Sequence, residues 1–220
     1  MRDLTCIYYT SNREKPEFEA RIQKTLLESL GDTQLISVSH KPMDFGKNIC
    51  IGEKVPSSHN LYRQLQVGAI EAKTKYVCTG EADNLYPKEY FEFLPDNDRM
   101  IYKVGNIYIL WALSNKVKQF YRKRESESAI VVGRDYLIET IDKQLKGKER
   151  WGEKGDYEGI ITPHLSNFGD CSIFHNAIPV ITFKTDNNLH RKSPYDRSSG
   201  RTVVPYWGTC YSLIRKYLCE

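Results

Sequence analysis

The chain has 220 residues, of which 40% are hydrophobic and 27% charged, and its formal net charge is +4. These values are ordinary for a globular protein and fit a single domain, residues 1–220, with a sizeable core. No apolar run is long enough to cross a membrane, and the N-terminus shows no apolar signal segment. We therefore expect a cytoplasmic protein, in the host cell if the gene belongs to a phage.

Several site classes have no support in the sequence. The six cysteines include no C-x-x-C pair, so we expect reduced thiols, and the i, i+4 pair of Cys171 and His175 lacks the second pair of a zinc site. The motif G-x-G-x-x-G of dinucleotide-binding oxidoreductases is absent, as is the motif G-x-x-x-x-G-K-[ST] of P-loop NTPases. The chain after Tyr9 also lacks the glycine-rich, basic loop that is usual in nucleotidyltransferases.

The first forty residues predict a β-α-β unit. Residues 4–9 are apolar enough for a strand, and Pro16 stands where the first turn of a helix tolerates it. One helix face then repeats every four residues until Gly31 ends it: Phe18, Ile22, Leu26 and Leu30. Residues 34–38 form the second strand, so we expect a parallel pair with a right-handed crossover.

Polar residues follow the first strand and reappear on the next helix. In such sheets the loop after the first strand lines the ligand crevice, and here it reads Thr10-Ser11-Asn12-Arg13. Residues 40–56 have no periodicity and predict a long loop. Ser57 and Ser58 are suited to cap a helix. The polar side of that helix offers Asn60 and Gln64, either as ligand contacts or as ordinary surface residues.

The next apolar run, residues 76–80, predicts a buried strand that ends in two acids, Glu81 and Asp83. With the spacing i, i+2 on an extended chain, both carboxylates point to the same side. Two oxygen ligands on one side suit a hard cation such as Mg²⁺ or Mn²⁺, which bridges diphosphates. The alternative is a structural role, in which the acids belong to a solvated turn or a helix cap.

This stretch resembles the metal-binding motif of the GT-A-type glycosyltransferases. In that family a strand ends in D-x-D, often followed by an apolar-aromatic-Pro turn into a short helix. Here the motif reads Glu81-Ala82-Asp83 and is followed by Leu85-Tyr86-Pro87, so that Glu replaces the first Asp and Asp83 matches the more critical ligand. The resemblance covers the first half of the chain well and the second half loosely.

The resemblance implies an α/β, GT-A-like nucleotide-diphospho-sugar transferase fold, with a central mostly parallel mixed sheet flanked by helices. Residues 1–95 would bind the nucleotide sugar, with a UDP-sugar as first choice, and residues 96–220 would form the acceptor half. The cofactor would be Mn²⁺ or Mg²⁺, held by Asp83, Glu81 and a histidine after a late strand, His190. The donor contacts would come from the following residues: Thr10, Ser11, Asn12, Arg13, Asn60, Gln64, Glu81 and Ala82.

The second half predicts further strands. Residues 100–111 read as strand with a turn at Gly105-Asn106, and the family uses such strands on the acceptor side. Tyr102, Asn106 and Trp111 are the matching acceptor candidates, although alternating aromatic residues are more often core. We expect a loop over the site at 115–128, a strand at 129–132, a helix capped by Asp135, a strand pair at 173–183 and a C-terminal helix.

The glycine-broken acidic stretch 150–159 resembles the segment that supplies the base in some inverting GT-A enzymes. Asp156 is the first candidate for the catalytic base and Glu158 the second; a retaining enzyme would need neither.

Three functions remain open on the sequence. The first is transfer of a sugar to a saccharide or another small hydroxylated acceptor. The second uses the same donor with an acceptor DNA that carries hydroxymethylated bases, because basic residues cluster at 116–124, 143–150 and 190–201. The third is a non-catalytic α/β module that binds a nucleotide or a sugar. Basic clusters are more often solvated faces than nucleic-acid sites.

Overall fold

The computed structural model describes residues 2–111, 118–123, 126–154, 156, 164–188 and 195–219. They form a mixed α/β architecture with a central seven-stranded sheet, a four-stranded sheet and a two-stranded ribbon. The prediction of a central, mostly parallel mixed sheet flanked by helices is confirmed. Within these residues, no helix has both the length and the apolar character needed to cross a bilayer.

The strands are β1 (Leu4–Thr10), β2 (Gln34–Ser39), β3 (Lys47–Cys50), β4 (Tyr76–Glu81), β5 (Asn84–Leu85), β6 (Ile101–Val104), β7 (Ile107–Trp111), β8 (Phe120–Arg122), β9 (Ile130–Gly133), β10 (Cys171–Phe174), β11 (Val180–Lys184), β12 (Val203–Val204) and β13 (Gly208–Thr209). The helices are α1 (Pro16–Leu30), α2 (Ser58–Glu71), α3 (Lys88–Glu92), α4 (Arg134–Gln144) and α5 (Cys210–Tyr217), with short 3₁₀ turns at Leu165–Asn167 and Arg197–Ser199.

The order of strands in the large sheet is β10-β6-β9-β4-β1-β2-β3. Strands β4, β1, β2 and β3 run parallel, whereas β9 is antiparallel to both of its neighbours, β4 and β6. From β1 the chain builds β2 and β3 on one side, and then returns through α2 to β4 on the other side. This reversal opens a crevice at the C-terminal ends of β1 and β4, the place where open α/β sheets bind ligands.

Helices pack on both faces of the sheet because β1 is buried on both sides. Ile7 belongs to the core cluster formed with α2 and α4, whereas Cys6 and Tyr8 belong to the cluster that includes α1. Helix α2 approaches β1 closely at Gly68, where a Cβ atom would lie 2.4 Å from Ile7 Cγ2. A glycine at this position therefore sets how near the helix can lie to the strand.

Two buried tyrosines hold the acidic end of β4. The hydroxyl of Tyr86 donates to Ser128 O (2.7 Å) and accepts from the backbone N–H of Glu81 (3.0 Å). The hydroxyl of Tyr90 donates to Ile130 O (2.7 Å), and the two rings stack with centroids 5.0 Å apart. The turn after the acids thus fixes their backbone through side chains that are themselves fully buried.

Two predicted loops contain short strands. The predicted loop 40–56 contains β3, a four-residue parallel edge strand, and 115–128 contains β8, a three-residue strand antiparallel to β7. Both are too short and too polar to show a period of their own, and their backbone pairing comes from the neighbouring strand. The strands of the predicted pair at 173–183, β10 and β11, exist but lie in different sheets.

Asp135 does not cap α4. The cap position is Gly133, which makes no side-chain cap hydrogen bond, and Asp135 lies two residues later in the first turn, exposed and paired with Arg134 at 2.7 Å. A Cβ at Gly133 would lie 2.0 Å from Asp98 O, so the close approach of the 98 backbone excludes any capping side chain there.

Candidate active site

A cavity of about 120 Å³ lies at the crevice between β1 and β4. Its walls come from the end of β1 and the loop after it, the start of α2, the end of β4 and the loop after β11. The lining residues are Tyr9, Thr10, Ser11, Arg13, Glu14, His40, Pro56, Ser57, Asn60, Leu61, Gln64, Glu81, Ala82, Asp83, Asn187 and Asn188.

The structure brings most of the predicted donor and metal residues together in this cavity. From the predicted set, the lining includes Thr10, Ser11, Arg13, Asn60, Gln64, Glu81, Ala82 and Asp83. Asn12 has a different place: its φ is 52°, its N–H donates to Thr10 Oγ1 (2.9 Å), and its Oδ1 accepts from the N–H of Lys41 (2.9 Å). Asn12 therefore shapes the loop that presents its neighbours.

Asn60 and Gln64 are buried rather than surface residues, because neighbouring segments cover that side of α2. Asn60 donates through Nδ2 to Val55 O (2.7 Å) and Gly152 O (2.9 Å), and its Oδ1 accepts from Gly152 N (2.8 Å). Gln64 donates through Nε2 to Thr10 O and Val38 O, both at 2.9 Å. Both amides thus fix the backbone around the cavity, and a direct contact with a donor stays a prediction.

The acid pair at the end of β4 is tightly held. The hydroxyl of Tyr9 donates to Glu81 Oε1, as expected from their opposite positions in the β1–β4 register. Asp83 Oδ2 accepts from Asn188 Nδ2 (2.7 Å), and Oδ1 accepts from the Asn84 amide when its nitrogen faces the acid (3.1 Å). Burial, and next the charge of Glu81, raise the pKa of Asp83 well above its ordinary value.

The loop after β11 completes the hydrogen-bond network around the acid pair. The sequence analysis did not name the loop residues that do so, Thr185 and Asn188. Asn188 donates to both Asp83 and Glu14 Oε1 (3.2 Å), and the hydroxyl of Thr185 lies 2.8 and 2.9 Å from the two Glu14 oxygens. Burial raises the pKa of Glu14. The sequence reasoning selected this loop for His190, but among the described residues it is Asn188 that reaches the acid pair.

Two lysines that the sequence analysis did not single out act electrostatically on the acid pair. Lys184, at the end of β11, is 8% exposed and lowers the pKa of Asp83 against the effect of burial. Burial lowers the pKa of Lys123, while the charges of Glu81 and Asp83 oppose that shift. The acids of the cavity therefore face ammonium groups supplied by the second half of the chain.

His40 is a further cavity residue that the sequence left inside an unstructured loop. It is 5% exposed, and burial lowers the pKa of its imidazole, which favours the neutral ring. Its Nε2 is buried and has no hydrogen-bond partner among the described residues. A buried ring nitrogen in a cavity wall is a natural contact for a polar ligand group.

The cavity chemistry fits a divalent cation. Its lining carries three carboxylates, Glu14, Glu81 and Asp83, but only one guanidinium, Arg13. No three His, Cys, Asp or Glu side chains converge as a metal cage within the described part of the chain. Mg²⁺ typically uses one or two carboxylates and completes its shell with substrate phosphates and water. Glu81 and Asp83 match such a partial ligand set.

The predicted catalytic bases do not lie at the cavity wall as described. Both oxygens of Asp156 are engaged: they accept from Arg150, and one also accepts from the N–H of Glu153 (2.7 Å). That backbone contact first, and then Arg150, lower the pKa of Asp156. Glu158 and the predicted metal ligand His190 lie outside the described residues.

The three predicted acceptor residues are not brought together. The hydroxyl of Tyr102 donates to Asp96, and its ring lies against Phe93. Asn106 binds the backbone of residue 176 through both its amide atoms, and so braces a turn. Trp111 is 9% exposed, and its Nε1 has no partner among the described residues. None of the three lines the cavity, and their role in acceptor binding stays a prediction.

Comparison with known proteins adds a fold-level likeness. No protein-family model and no curated protein sequence matches the chain. The structure of S. aureus TarS 1-349 in complex with UDP-GlcNAc has a TM-score of 0.50 and 9% identity, over 84% of this chain and 60% of that chain.

Two further structures are more distant. A glycosyltransferase involved in the glycosylation of the major capsid of PBCV-1 has a TM-score of 0.43 and 13% identity, over 78% of this chain and 81% of that one. The bifunctional IspDF from Campylobacter jejuni has a TM-score of 0.42 and 10% identity, over 80% and 50%. The match thus spans 50% of IspDF and 60% of the TarS fragment.

At these identities the likeness concerns the fold alone. In this chain the central mixed sheet reverses its strand order beside a strand that ends in two acids. The chain has the α/β fold of the GT-A-like nucleotide-diphospho-sugar transferases.

Proposed function

We propose that the protein is a glycosyltransferase that moves a sugar from a nucleotide-sugar donor to an acceptor hydroxyl with the help of Mn²⁺ or Mg²⁺. The observation that carries the proposal is the cavity at the crevice of the sheet. It joins the polar loop after β1 to the acid pair after β4, although these two segments are about seventy residues apart in the sequence. A UDP-sugar is the first choice of donor, since the TarS structure of similar fold contains UDP-GlcNAc.

Each part of the cavity has a role in this proposal. Thr10, Ser11 and Arg13 bind the nucleotide, and the buried Nε2 of His40 adds a contact that the sequence did not suggest. Glu81 and Asp83 hold the metal, with His190 as a further proposed ligand. When bound, the cation offsets the charge that develops on the leaving nucleoside diphosphate.

The charge of the cavity supports a metal-assisted donor site. Three carboxylates against one guanidinium would repel a diphosphate, and a divalent cation converts that repulsion into attraction. The raised pKa of Asp83 agrees with this excess of negative charge, because it results from burial and from the charge of Glu81. Hydrogen bonds from Tyr9 and Asn188 hold the pair and Lys184 offsets part of its charge, and a bound cation would offset the rest.

The residue that would remove the proton from the acceptor has less direct support than the donor site. If the reaction inverts the anomeric centre, Asp156 or Glu158 would take the acceptor proton; a retaining reaction needs neither. Asp156 is paired with Arg150, so it must exchange that contact for the acceptor hydroxyl to act as a base. Asp156→Asn should then abolish transfer while leaving donor binding intact.

The test is a screen of UDP-, GDP- and CMP-sugars for binding and hydrolysis, with and without Mn²⁺. Asp83→Ala should lose metal-dependent binding of the preferred donor, whereas Asp44→Ala, an exposed aspartate outside the cavity, should retain it. If the intact protein binds none of these donors, the proposal fails and the acid pair has a structural role.

A non-catalytic α/β binding module is the second candidate. It is favoured by the placement of Asp156 in an ion pair outside the described cavity. Such a module would bind a nucleotide or a sugar but would neither hydrolyse nor transfer it at any metal concentration.

The acceptor is a saccharide or another small molecule, or DNA that carries hydroxymethylated bases. Basic residues at 143–150 motivate DNA, but several are paired: Lys143 with Glu139 at 2.7 Å and Arg150 with Asp156 at 2.9 Å. Binding of modified duplex that weakens steeply with salt would support the DNA acceptor. Absence of any binding at low salt would exclude it.

A further inference from the structure

A second, larger cavity of about 750 Å³ lies between β6, β8 and β10. We call it the basic groove and define it by its charged lining residues, Lys103, Arg122, Lys123 and Asp196. Arg122 and Lys123 belong to the basic cluster at 116–124, but none of the predicted donor, metal, catalytic or acceptor residues lines the groove, and the donor chemistry proposed above does not use it. It is an open groove with room for a ligand larger than a monosaccharide.

The basic groove carries an excess of positive charge. Lys103 is 16% exposed at its side chain and lies 3.4 Å from Glu127, which is also contacted by His164 at 3.6 Å. Asp196 accepts through Oδ1 from the hydroxyl of a nearby serine at 2.6 Å. The lining thus carries three cations and one carboxylate, Asp196. Glu127, outside the lining, pairs with Lys103, and Glu81 and Asp83 act on Lys123, so Arg122 is the cation of the lining that no carboxylate offsets within the described residues.

One cation is well placed for an external ligand. Arg122 is exposed, and its Nη2 donates to Gly105 O at 3.1 Å, so the guanidinium is held at the groove edge. A guanidinium has five N–H donors in a planar fork that matches phosphate oxygens. No carboxylate ion-pairs with Arg122 within the described residues.

The groove also has apolar lining residues. Ile173 is 67% exposed and lies next to Lys103 in the β10–β6 register, and Val104 and Ile107 are further lining residues. Cations and apolar side chains in one groove suit a ligand that combines an anionic group with a carbon skeleton, as in a phosphorylated sugar. A duplex would need cations spread over a far larger surface, roughly 1,000 Å² or more.

Lys123 connects the basic groove to the acid pair. Lys123 lines the groove, and its Nζ donates to Ser126 Oγ at 2.9 Å. The charges of Glu81 and Asp83 act on its ammonium group. Ser126 Oγ in turn lies 2.6 Å from Ser128 Oγ, and Ser128 O accepts from the Tyr86 hydroxyl that binds the N–H of Glu81. These contacts connect one end of the groove to the acid pair of the proposed donor site.

We propose that the basic groove is the acceptor subsite, and that it takes a phosphate-bearing saccharide whose anionic group binds Arg122 and Lys103. That the bound molecule is the acceptor rests on the proposed function, whereas the binding of an anionic group does not. The sugar hydroxyl would lie toward Lys123 and the anionic group toward the groove edge.

Titration calorimetry at low salt tests the proposal on the intact protein, with glucose 6-phosphate, glucose and inorganic phosphate as probes. We expect binding of glucose 6-phosphate, competition by inorganic phosphate and no binding of glucose. Arg122→Gln should weaken glucose 6-phosphate binding about fivefold or more, the loss of one charge-assisted contact. Arg215→Gln removes the same charge from an exposed position on α5, outside the groove, and should change nothing.

Lys103→Gln provides a second variant in the groove, and UDP-sugar binding measured on each variant separates the two proposals. If a UDP-sugar binds but no phosphate-bearing probe does, the groove assignment is overturned and the proposed function stands. If the phosphate probes bind and no donor does, the groove holds an anion and the proposed function fails. Equal loss in Arg122→Gln and Arg215→Gln, or binding of duplex DNA alone, would also overturn the groove assignment.

Discussion

Replacing Asp83 by asparagine should make the metal-free protein more stable at neutral pH while removing its proposed metal site. The folded-state pKa of Asp83 is raised by burial and by Glu81, so folding favours its protonated form. Stability is therefore greatest below the unfolded-state pKa of about 3.9 and declines as the pH rises toward the folded-state value. Asparagine is neutral at every pH and escapes this loss.

The magnitude follows from the spacing of the acid pair. Glu81 ends β4 and Asp83 lies in the turn that follows, two residues on. Two like charges about 6 Å apart repel by about 1.4 to 2.8 kcal/mol at effective dielectric constants of about 40 to 20. Attraction from Lys184 cancels part of this repulsion. We expect a net gain of about 1 kcal/mol, which corresponds to about 2–4 °C in Tm for a chain of this size.

The hydrogen bonds around Asp83 can adapt to the substitution. Asn84 can turn its amide so that its oxygen accepts from the new Nδ2, and its nitrogen then lies 3.0 Å from the hydroxyl of Tyr86. Asn188 still has an oxygen of residue 83 to which it can donate. The variant should therefore lose charge repulsion without leaving a buried polar group unpaired.

The assay is urea unfolding of wild type and Asp83→Asn across pH 4–8 in the presence of EDTA, and again with Mn²⁺ and a bound donor. We expect the variant to be more stable without metal, by a margin that shrinks toward acidic pH, and the wild type to be more stable with metal and donor. A variant that is less stable at pH 8 in EDTA would refute the reasoning. A difference that does not change with pH would refute it as well.

Three further predictions follow from single contacts. Gly68→Ala should lower the free energy of unfolding by about 1–3 kcal/mol in chemical denaturation, because its Cβ would lie 2.4 Å from Ile7 Cγ2; an unchanged midpoint would contradict the packing argument. Glu127→Gln should destabilise the protein at neutral pH by about 2–4 kcal/mol. Burial alone would raise the pKa of Glu127, but the hydrogen bonds and charges around the carboxylate bring that pKa below its ordinary value. The difference in stability between the variant and the wild type should therefore vanish as the pH falls through the lowered pKa. Asn188→Ala should weaken metal-dependent donor binding about fivefold to tenfold through the loss of its 2.7 Å contact with Asp83, and equal donor affinity in titrations would contradict that role. It should also lower the metal-free free energy of unfolding by about 1–3 kcal/mol, because Asp83 and the N–H of Thr185 lose a buried partner.

The parts of the fold that could be predicted are those whose own sequence shows the pattern of apolar residues typical of a helix or a buried strand. The apolar face of α1, the buried run of β4 and the parallel β-α-β unit of β1, α1 and β2 all follow from local patterns. Strand β3 could not be predicted, because Lys47–Cys50 is polar and its backbone bonds are specified by β2 rather than by its own side chains.

The candidate site likewise has residues that could be placed from the sequence and residues that could not. The loop after β1 and the acids after β4 could be placed together, since both lie at C-terminal ends of parallel strands. Lys184 and Asn188 could not, because their position beside Asp83 depends on how β11 packs in the smaller sheet. The inward direction of Gln64 was equally hidden, as it depends on the backbone of Thr10 that it binds.

The contacts of Asn188 set the order in which the donor cavity can form during folding. This side chain joins Asp83, 105 residues earlier, to Glu14, 174 residues earlier. Contacts of such long range form late, because the loops that they close are entropically costly. A nascent chain that has folded only β1 to β4 would expose its acid pair without the amide or the lysines that later surround it. The cavity should therefore become competent to bind a donor only when β11 docks against β5 and β7, after β1, β2 and β4 have formed their parallel pairs.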